Sequence, residues 1–222
     1  MKTKLLQHLS TFITENRLEL FDKIISERTR YITVALEDIY QPHNTSAVLR
    51  SCDCFGVQDI HIIENKNAYT LNPDVAMGSS KWLTMKKYNS HENNTPVAIR
   101  ALKEYGYRIV ATTPHKNGTS LENYDLNKGK TALFFGTELT GLTNEALDSA
   151  DEYLEIPMKG FTESLNISVS VAVTLYHLTE KLRASSLPWK LTKDDITDIK
   201  LEWMRNTIKR ADLIEKEFLK KQ

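Results

Sequence analysis

Ile156-Pro-Met-Lys-Gly-Phe-Thr-Glu-Ser-Leu-Asn-Ile-Ser-Val-Ser-Val-Ala-Val-Thr-Leu-Tyr-His-Leu178 is the stretch from which the rest of this chain can be read. An apolar strand, Tyr153 to Met158, runs into a polar loop containing Gly160, Lys159 to Glu163. Small and β-branched residues follow, with no charge between Asn166 and Glu180. Such a run reads as a helix buried on most of its circumference. Ser164 or Asn166 can cap its first turn, because a side-chain oxygen there satisfies a free backbone N–H. A loop that enters a helix N-terminus also presents N–H donors to a ligand. Taken alone, the same residues describe an ordinary buried strand and helix with a cap.

Working outward, strands and helices alternate. Tyr31 to Leu36, Asp59 to Ile63, Met85 to Tyr88, Tyr107 to Thr112 and Thr131 to Phe135 read as strands. A helix is expected from Asn44 as cap to Phe55, with Gly56 as its stop. Asn72 to Trp82 reads as irregular or briefly helical. Another helix starts at Asn94-Thr-Pro96, with proline in its first turn, and ends at Gly106. Thr143 to Ala150 reads as a short helix. This alternation implies an α/β domain with a mostly parallel sheet. Both ends look different. Residues 1–30 carry two apolar helical stripes, Leu5, Leu6, Leu9, Phe12, Ile13 and then Leu18, Phe21, Ile24, Ile25. Beyond Leu182, Ser185-Ser-Leu-Pro-Trp reads as a linker. Thr192-Lys-Asp-Asp195 reads as a capping box for a terminal helix that continues through Ile196, Ile199, Trp203 and Ile208. The expected organisation is therefore an N-terminal helical extension over 1–30, a domain over 31–182, and a linker with C-terminal helix over 183–222.

The chain has 222 residues, 41% of them hydrophobic, enough for a sizeable core. Lys and Arg number 29, as do Asp and Glu, so overall charge does not draw the protein to nucleic acid. Any such contact must come from local patches. No apolar run approaches the roughly 18 residues of a membrane span. The first residues lack the apolar core of a signal peptide. Cys52 and Cys54, one residue apart on a helix, cannot easily pair, and no second Cys or His pair offers zinc spacing. The expectation is a reduced, cytoplasmic protein without a structural metal.

Three polar islands stand at strand ends. The first is His43-Asn44-Thr-Ser-Ala-Val-Leu-Arg50. The second is Gly136-Thr-Glu138-Leu-Thr-Gly141, two glycines bracketing an acid. The third is the opening stretch. Ligands of open α/β sheets collect at the carboxyl ends of strands. No Walker A or GxGxxG sequence is present, so neither a triphosphate nor a dinucleotide site is indicated. Gly-x-Ser-x-Gly and His-Glu-x-x-His are also missing, and His43, His61, His91, His115 and His177 are scattered.

In this order the islands resemble the motifs of the SpoU branch of the SPOUT RNA methyltransferases. Pro42-His-Asn-Thr-Ser-Ala-Val-Leu-Arg-Ser-Cys-Asp53 matches the first motif. Phe134-Phe-Gly-Thr-Glu-Leu-Thr-Gly-Leu142 matches the second. Ile156-Pro-Met-Lys-Gly160 with Ser164-Leu-Asn-Ile-Ser-Val-Ser-Val-Ala172 matches the third. The terminal helices are similar to those of the tRNA guanosine-18 2′-O-methyltransferases. The resemblance implies a SPOUT fold with a deep trefoil knot in the C-terminal half. It implies S-adenosylmethionine held by Thr112, Gly136, Ile156, Met158 and Leu165, and a homodimer whose sites are completed across the interface. It assigns Arg50 to the 2′-hydroxyl, with Asn44, Glu138, Ser164 and Asn166 arranged around it. Its substrate would be tRNA or another structured RNA, not DNA. The candidate RNA contacts are Arg28, Arg30, Lys81, Lys159, Arg205, Lys209 and Arg210. Alternatives from the same residues are methylation of ribosomal RNA or of another tRNA position, or a non-catalytic RNA-binding factor on the same scaffold.

Overall fold

The computed structural model describes residues 1–70, 72–76, 78–114 and 118–220. The chain divides into two compact units. One is Arg30–Trp189; the other combines Met1–Thr29 with Lys190–Gln222. The two terminal extensions, read separately in the sequence, thus make a single unit.

Seven parallel strands form the sheet of the larger unit: β1 (Ile32–Glu37), β2 (Asp59–Ile63), β3 (Thr84–Tyr88), β4 (Arg108–Thr112), β5 (Thr119–Ser120), β6 (Thr131–Phe135) and β7 (Glu152–Glu155). Their order is β3-β2-β1-β6-β4-β7-β5. Parallel sheets need cover on both faces, and the six residues of β1 and five of β6 are accordingly all buried. Alternation along the strands sorts the core. Val34, Leu36, Ile60, Ile62, Val110, Leu133 and Phe135 pack with Val48, Leu49 and Cys52 of helix α3 (Pro42–Cys54) and with Val171, Leu175 and Leu178 of helix α7 (Ile167–Arg183). Ala35, Ile63, Ile109, Ala111, Ala132 and Phe134 pack with Ala98, Ile99 and Leu102 of helix α5 (Thr95–Glu104) and Ala146 of helix α6 (Asn144–Asp148). A short helix α4 (Pro73–Ala76) and a 3₁₀ turn at Ser79–Lys81 lie between β2 and β3.

Three local expectations change. Helix α3 begins two residues before Asn44: Gln41 is its N-cap and Pro42 takes the first position, where the missing N–H costs nothing. Strand β7 stops at Glu155, so Ile156 to Met158 belong to the loop that follows. Helix α7 is capped by Asn166, one of the two candidates, its side chain accepting from Ser168 N–H, yet one stripe of it faces outward. Val169, Val173 and Tyr176, at helical spacing, are 44%, 40% and 61% exposed.

The smaller unit holds helices α1 (Lys2–Ser10), α2 (Glu15–Ile25), α8 (Lys193–Thr207) and α9 (Ala211–Lys220). Leu5, Leu9, Phe21, Ile25, Ile199, Leu201, Trp203 and Met204 are among its buried side chains. The capping box is present: Thr192 Oγ1 accepts from Asp195 N–H and the Asp195 carboxylate accepts from Thr192 N–H. The terminal helix does not run on as expected. It ends at Thr207, Ile208 is extended, Arg210 takes φ of 62°, and α9 starts afresh.

Candidate active site

Strands β1, β6, β4 and β7 are neighbours and parallel, so their carboxyl ends lie along one edge of the sheet. From that edge come the loop into α3, the Gly136–Gly141 loop, Thr113-Pro114, and the loop that leads to α7. The second loop closes tightly on itself. Thr137 and Gly141 exchange both backbone hydrogen bonds at 3.0 Å, and the Thr137 and Thr140 hydroxyls lie 2.8 Å apart. The two glycines of the motif are explained by this closure. A Cβ on Gly136 would sit 2.2 Å from the Gly141 carbonyl, and Gly141 itself has φ of +67°.

Glu138 is thereby held out from the loop. Its Oε1 accepts from Asn44 Nδ2 at 3.0 Å, from Asn166 Nδ2 at 2.6 Å and from Ile167 N–H at 3.4 Å. Asn166 Nδ2 also donates to Asn44 Oδ1 at 3.1 Å, and Asn44 Nδ2 donates to Gln41 Oε1 at 3.0 Å. The carboxylate thus meets the first turns of two helices. The first turn of α7 meets it through the Ile167 N–H. One residue from each island has entered a single hydrogen-bonded cluster.

A cleft lies on each side of this loop. The first, about 190 Å³, is lined by Thr112 to Pro114, Phe135 to Leu142, Leu154, Ile156, Met158, Leu165, Ile167, Ser170 and Thr174. All five residues expected to hold the cofactor, Thr112, Gly136, Ile156, Met158 and Leu165, line it. The second, about 280 Å³, is lined by Ile39, Tyr40, Gln41, Asn44, Asn67, Ile167 and the Thr137–Thr140 segment. The two clefts share Glu138 as a wall.

The chain belongs to the SpoU methylase family. The family model, described as the SpoU rRNA Methylase family, matches residues 31–176. The tRNA (guanosine(18)-2′-O)-methyltransferase of Borreliella burgdorferi is 45% identical over 207 residues, 93% of either chain. That of Thermus thermophilus is 36% identical, with 73% of this chain and 81% of the relative aligned. Among solved structures, the Aquifex aeolicus TrmH/SpoU tRNA modifying enzyme superposes with a TM-score of 0.76 at 28% identity, covering 88% of this chain and 98% of that one.

Not every SpoU motif residue joins the cluster. Arg50 is exposed, nearly two turns along α3 from Asn44, and lines neither cleft; among the described residues no hydrogen bond or ion pair holds it. Six residues along a helix turn a side chain well away from the face Asn44 uses. Ser164 is exposed in the loop before α7 and also lines neither cleft. The cleft residues outside every quoted motif are Tyr40, Gln41 and Asn67, while Thr137, Leu139, Thr140 and Thr174 stood inside the quoted stretches without a role. Thr174 is one of several hydroxyl residues, with Ser168 and Ser170, in the uncharged helical run. It is fully buried on the wall of the first cleft, and its Oγ1 has no partner among the described residues. Such an orphan costs about 1–3 kcal/mol unless something else bonds to it. Thr112, Thr113, Thr137, Glu138, Thr140 and Ser170 bring further polar side chains to the lining of this cleft. The backbone segments at Thr112 and Gly136 add main-chain groups to the same lining, so the chemistry of the walls fits a nucleoside-containing cofactor such as S-adenosylmethionine.

The candidate RNA contacts fare unequally. Arg28 is not a surface cation: it is 2% exposed and stacks 5.6 Å from the Trp203 ring. Arg30 is half-buried against Asp59 at 3.0 Å. Arg205 makes a two-pronged pair with Glu215, at 2.6 and 2.9 Å. Lys81, Lys159, Lys209 and Arg210 are exposed. Of the histidines, His61 is buried, 3.0 Å from the Tyr88 hydroxyl, and burial together with nearby Lys86 lowers its pKa to about 4. His115 lies outside the described residues. Cys52 is buried and Cys54 exposed, and neither is in a disulfide. Among the described residues no three His, Cys, Asp or Glu side chains group as metal ligands would, and no helix is long and apolar enough to cross a membrane.

Proposed function

We propose that this protein transfers the methyl group of S-adenosylmethionine to a ribose 2′-hydroxyl of RNA, and that the nucleotide is guanosine 18 of tRNA. The observation that carries the reading is the Asn44–Glu138–Asn166 cluster standing between two clefts, one of them lined by every residue expected to hold the cofactor. The choice of tRNA position rests on relatives aligned through the terminal helices as well as the α/β unit.

In the first cleft, Thr112, Gly136, Ile156, Met158, Leu165 and Thr174 hold the cofactor. When bound, S-adenosylmethionine supplies a methyl group on a positively charged sulfur. Glu138 adds negative charge at the cleft wall, and Asn44 and Asn166 fix its rotamer by donating to one oxygen. Arg50 acts on the RNA. A guanidinium holds its proton firmly and makes a poor base but a good two-pronged phosphate clamp. Its role is to orient the acceptor hydroxyl, with Ser164 beside it.

Arg50 lines neither of the two clefts of its own chain, and this supports a homodimer in which it reaches a partner's site. The exposed stripe Val169, Val173 and Tyr176 on α7 is the face for that contact, and α3 packs beside it. A trefoil knot built by the segment from β6 to α7 belongs to the same proposal. Sedimentation should report a dimer, and Val173→Glu should shift it toward monomer and lower activity. Flow of labelled methyl into bulk tRNA, followed by mapping of the modified nucleotide, tests the reading directly. Methyl at a position other than guanosine 18 would correct the target; methyl in no RNA at all would remove the enzyme.

A further inference from the structure

Resting on the methyltransferase reading, we infer that the second cleft is a nucleobase subsite: it takes the base of the target nucleotide, stacked on Tyr40. Four observations converge. The cleft shares Thr137, Glu138, Leu139, Thr140 and Ile167 with the first. A group bound in one therefore meets a group bound in the other at Glu138. If the methyl donor fills the first cleft, the nucleotide accepting the methyl belongs in the second.

Size and chemistry agree. The cleft holds about 280 Å³, just under the roughly 300 Å³ where pockets for drug-sized ligands begin, so it suits a single base. Tyr40 lines it and is 75% exposed, although burial of an aromatic ring is strongly favourable. Leu139, on the shared wall, is 98% exposed. An exposed aromatic beside an apolar side chain, next to a polar cluster, is how proteins hold an unstacked RNA base.

Hydrogen-bonding capacity for a base edge is present as well. Gln41 Oε1 is engaged by Asn44, which leaves its Nε2 as a donor without a partner among the described residues. Asn67 donates Nδ2 to the Asp38 carbonyl, which leaves its Oδ1 as an acceptor without one. Donor and acceptor on the lining of one cleft match the mixed pattern of a base edge, whereas a purely apolar occupant would leave both unpaired.

The experiment compares wild type with Tyr40→Ala, Tyr40→Phe and Tyr40→Trp. KM for tRNA, affinity for S-adenosylmethionine, melting temperature and oligomeric state are measured for each. Each enzyme is also assayed on an RNA that lacks only the target base and keeps its ribose. Tyr40→Ala should raise KM for tRNA about tenfold, the usual scale of one stacked base. Phenylalanine and tryptophan should restore it, and cofactor affinity, melting and assembly should not move. The loss should vanish on the abasic RNA. A Tyr40→Ala enzyme with wild-type KM overturns the subsite. So does a penalty of the same size on the abasic RNA, or one that accompanies a changed oligomer. Wild type that binds no S-adenosylmethionine and methylates no RNA instead sinks the parent reading, and this inference with it.

Discussion

The α/β unit and the helical unit use their polar residues in opposite ways. In the α/β unit, Asn44, Glu138 and Asn166 are brought from three loops to face one another and two open clefts. In the helical unit, several cations are committed to the protein itself. Arg28 is stacked on Trp203, Arg205 is clamped by Glu215, and Lys200 pairs with Asp22 at 2.5 Å. A motif at a strand end points to the sheet edge, where parallel topology collects ligands. A positive residue on a helix points nowhere in particular until its neighbours are known.

The contrast breaks most easily at Gly136. Gly136→Ala should remove methyl transfer altogether, because the added Cβ meets backbone of Gly141 and Leu142 that cannot yield. Near-normal activity and cofactor affinity in that variant would show that the loop has no part in the site. Next is Glu138→Ala, which strips the shared acceptor from Asn44 and Asn166. Turnover should fall about 100- to 1,000-fold, the range for losing one placed electrostatic group, while melting moves little. A variant that merely unfolds would assign Glu138 a structural duty instead. Arg50→Lys should then lower turnover about 10-fold or more and leave S-adenosylmethionine binding intact, since lysine keeps the charge but lacks the fork. Turnover near wild type would dismiss the two-pronged clamp.

His61 sharpens the comparison on the stability side. Its pKa is lowered to about 4 from the ordinary histidine value of 6.5, by burial first and by Lys86 second. Between those limits the unfolded chain binds a proton that the folded chain refuses. Stability is therefore full above about pH 6.5, declines as pH falls through that window, and levels off below about 4. The loss amounts to about 3 kcal/mol. Unfolding free energies of wild type and His61→Asn measured across the window should differ in slope; parallel curves would deny the burial penalty. The smallest effects belong to the helical unit. Arg28→Ala should cost about 1–2 kcal/mol, from lost packing and the ring contact, without a specific change in tRNA affinity. A large affinity loss at unchanged melting temperature would return Arg28 to the RNA surface. Arg205→Ala should change stability by under about 1 kcal/mol, as partly exposed ion pairs do.

The sequence by itself determined a good deal. The runs Tyr31 to Leu36 and Thr131 to Phe135 read as strands, and their alternation with helices implied a mostly parallel sheet. Asn166 and Thr192 announced their caps, and two glycines around Glu138 announced a tight loop. These features are local: propensity, period and turn chemistry act over a few residues, so a few residues reveal them. Tertiary structure alone decided that Glu138 meets Asn44, 94 positions away, and Asn166, 28 positions away. It decided that Arg50, in the same motif as Asn44, leaves the cluster, and that Arg28 is a core cation. It also gave Tyr40 and Thr174 a cleft to line. Strand order and register place such side chains together, and they depend on which distant segments pair, which no stretch of sequence carries within itself.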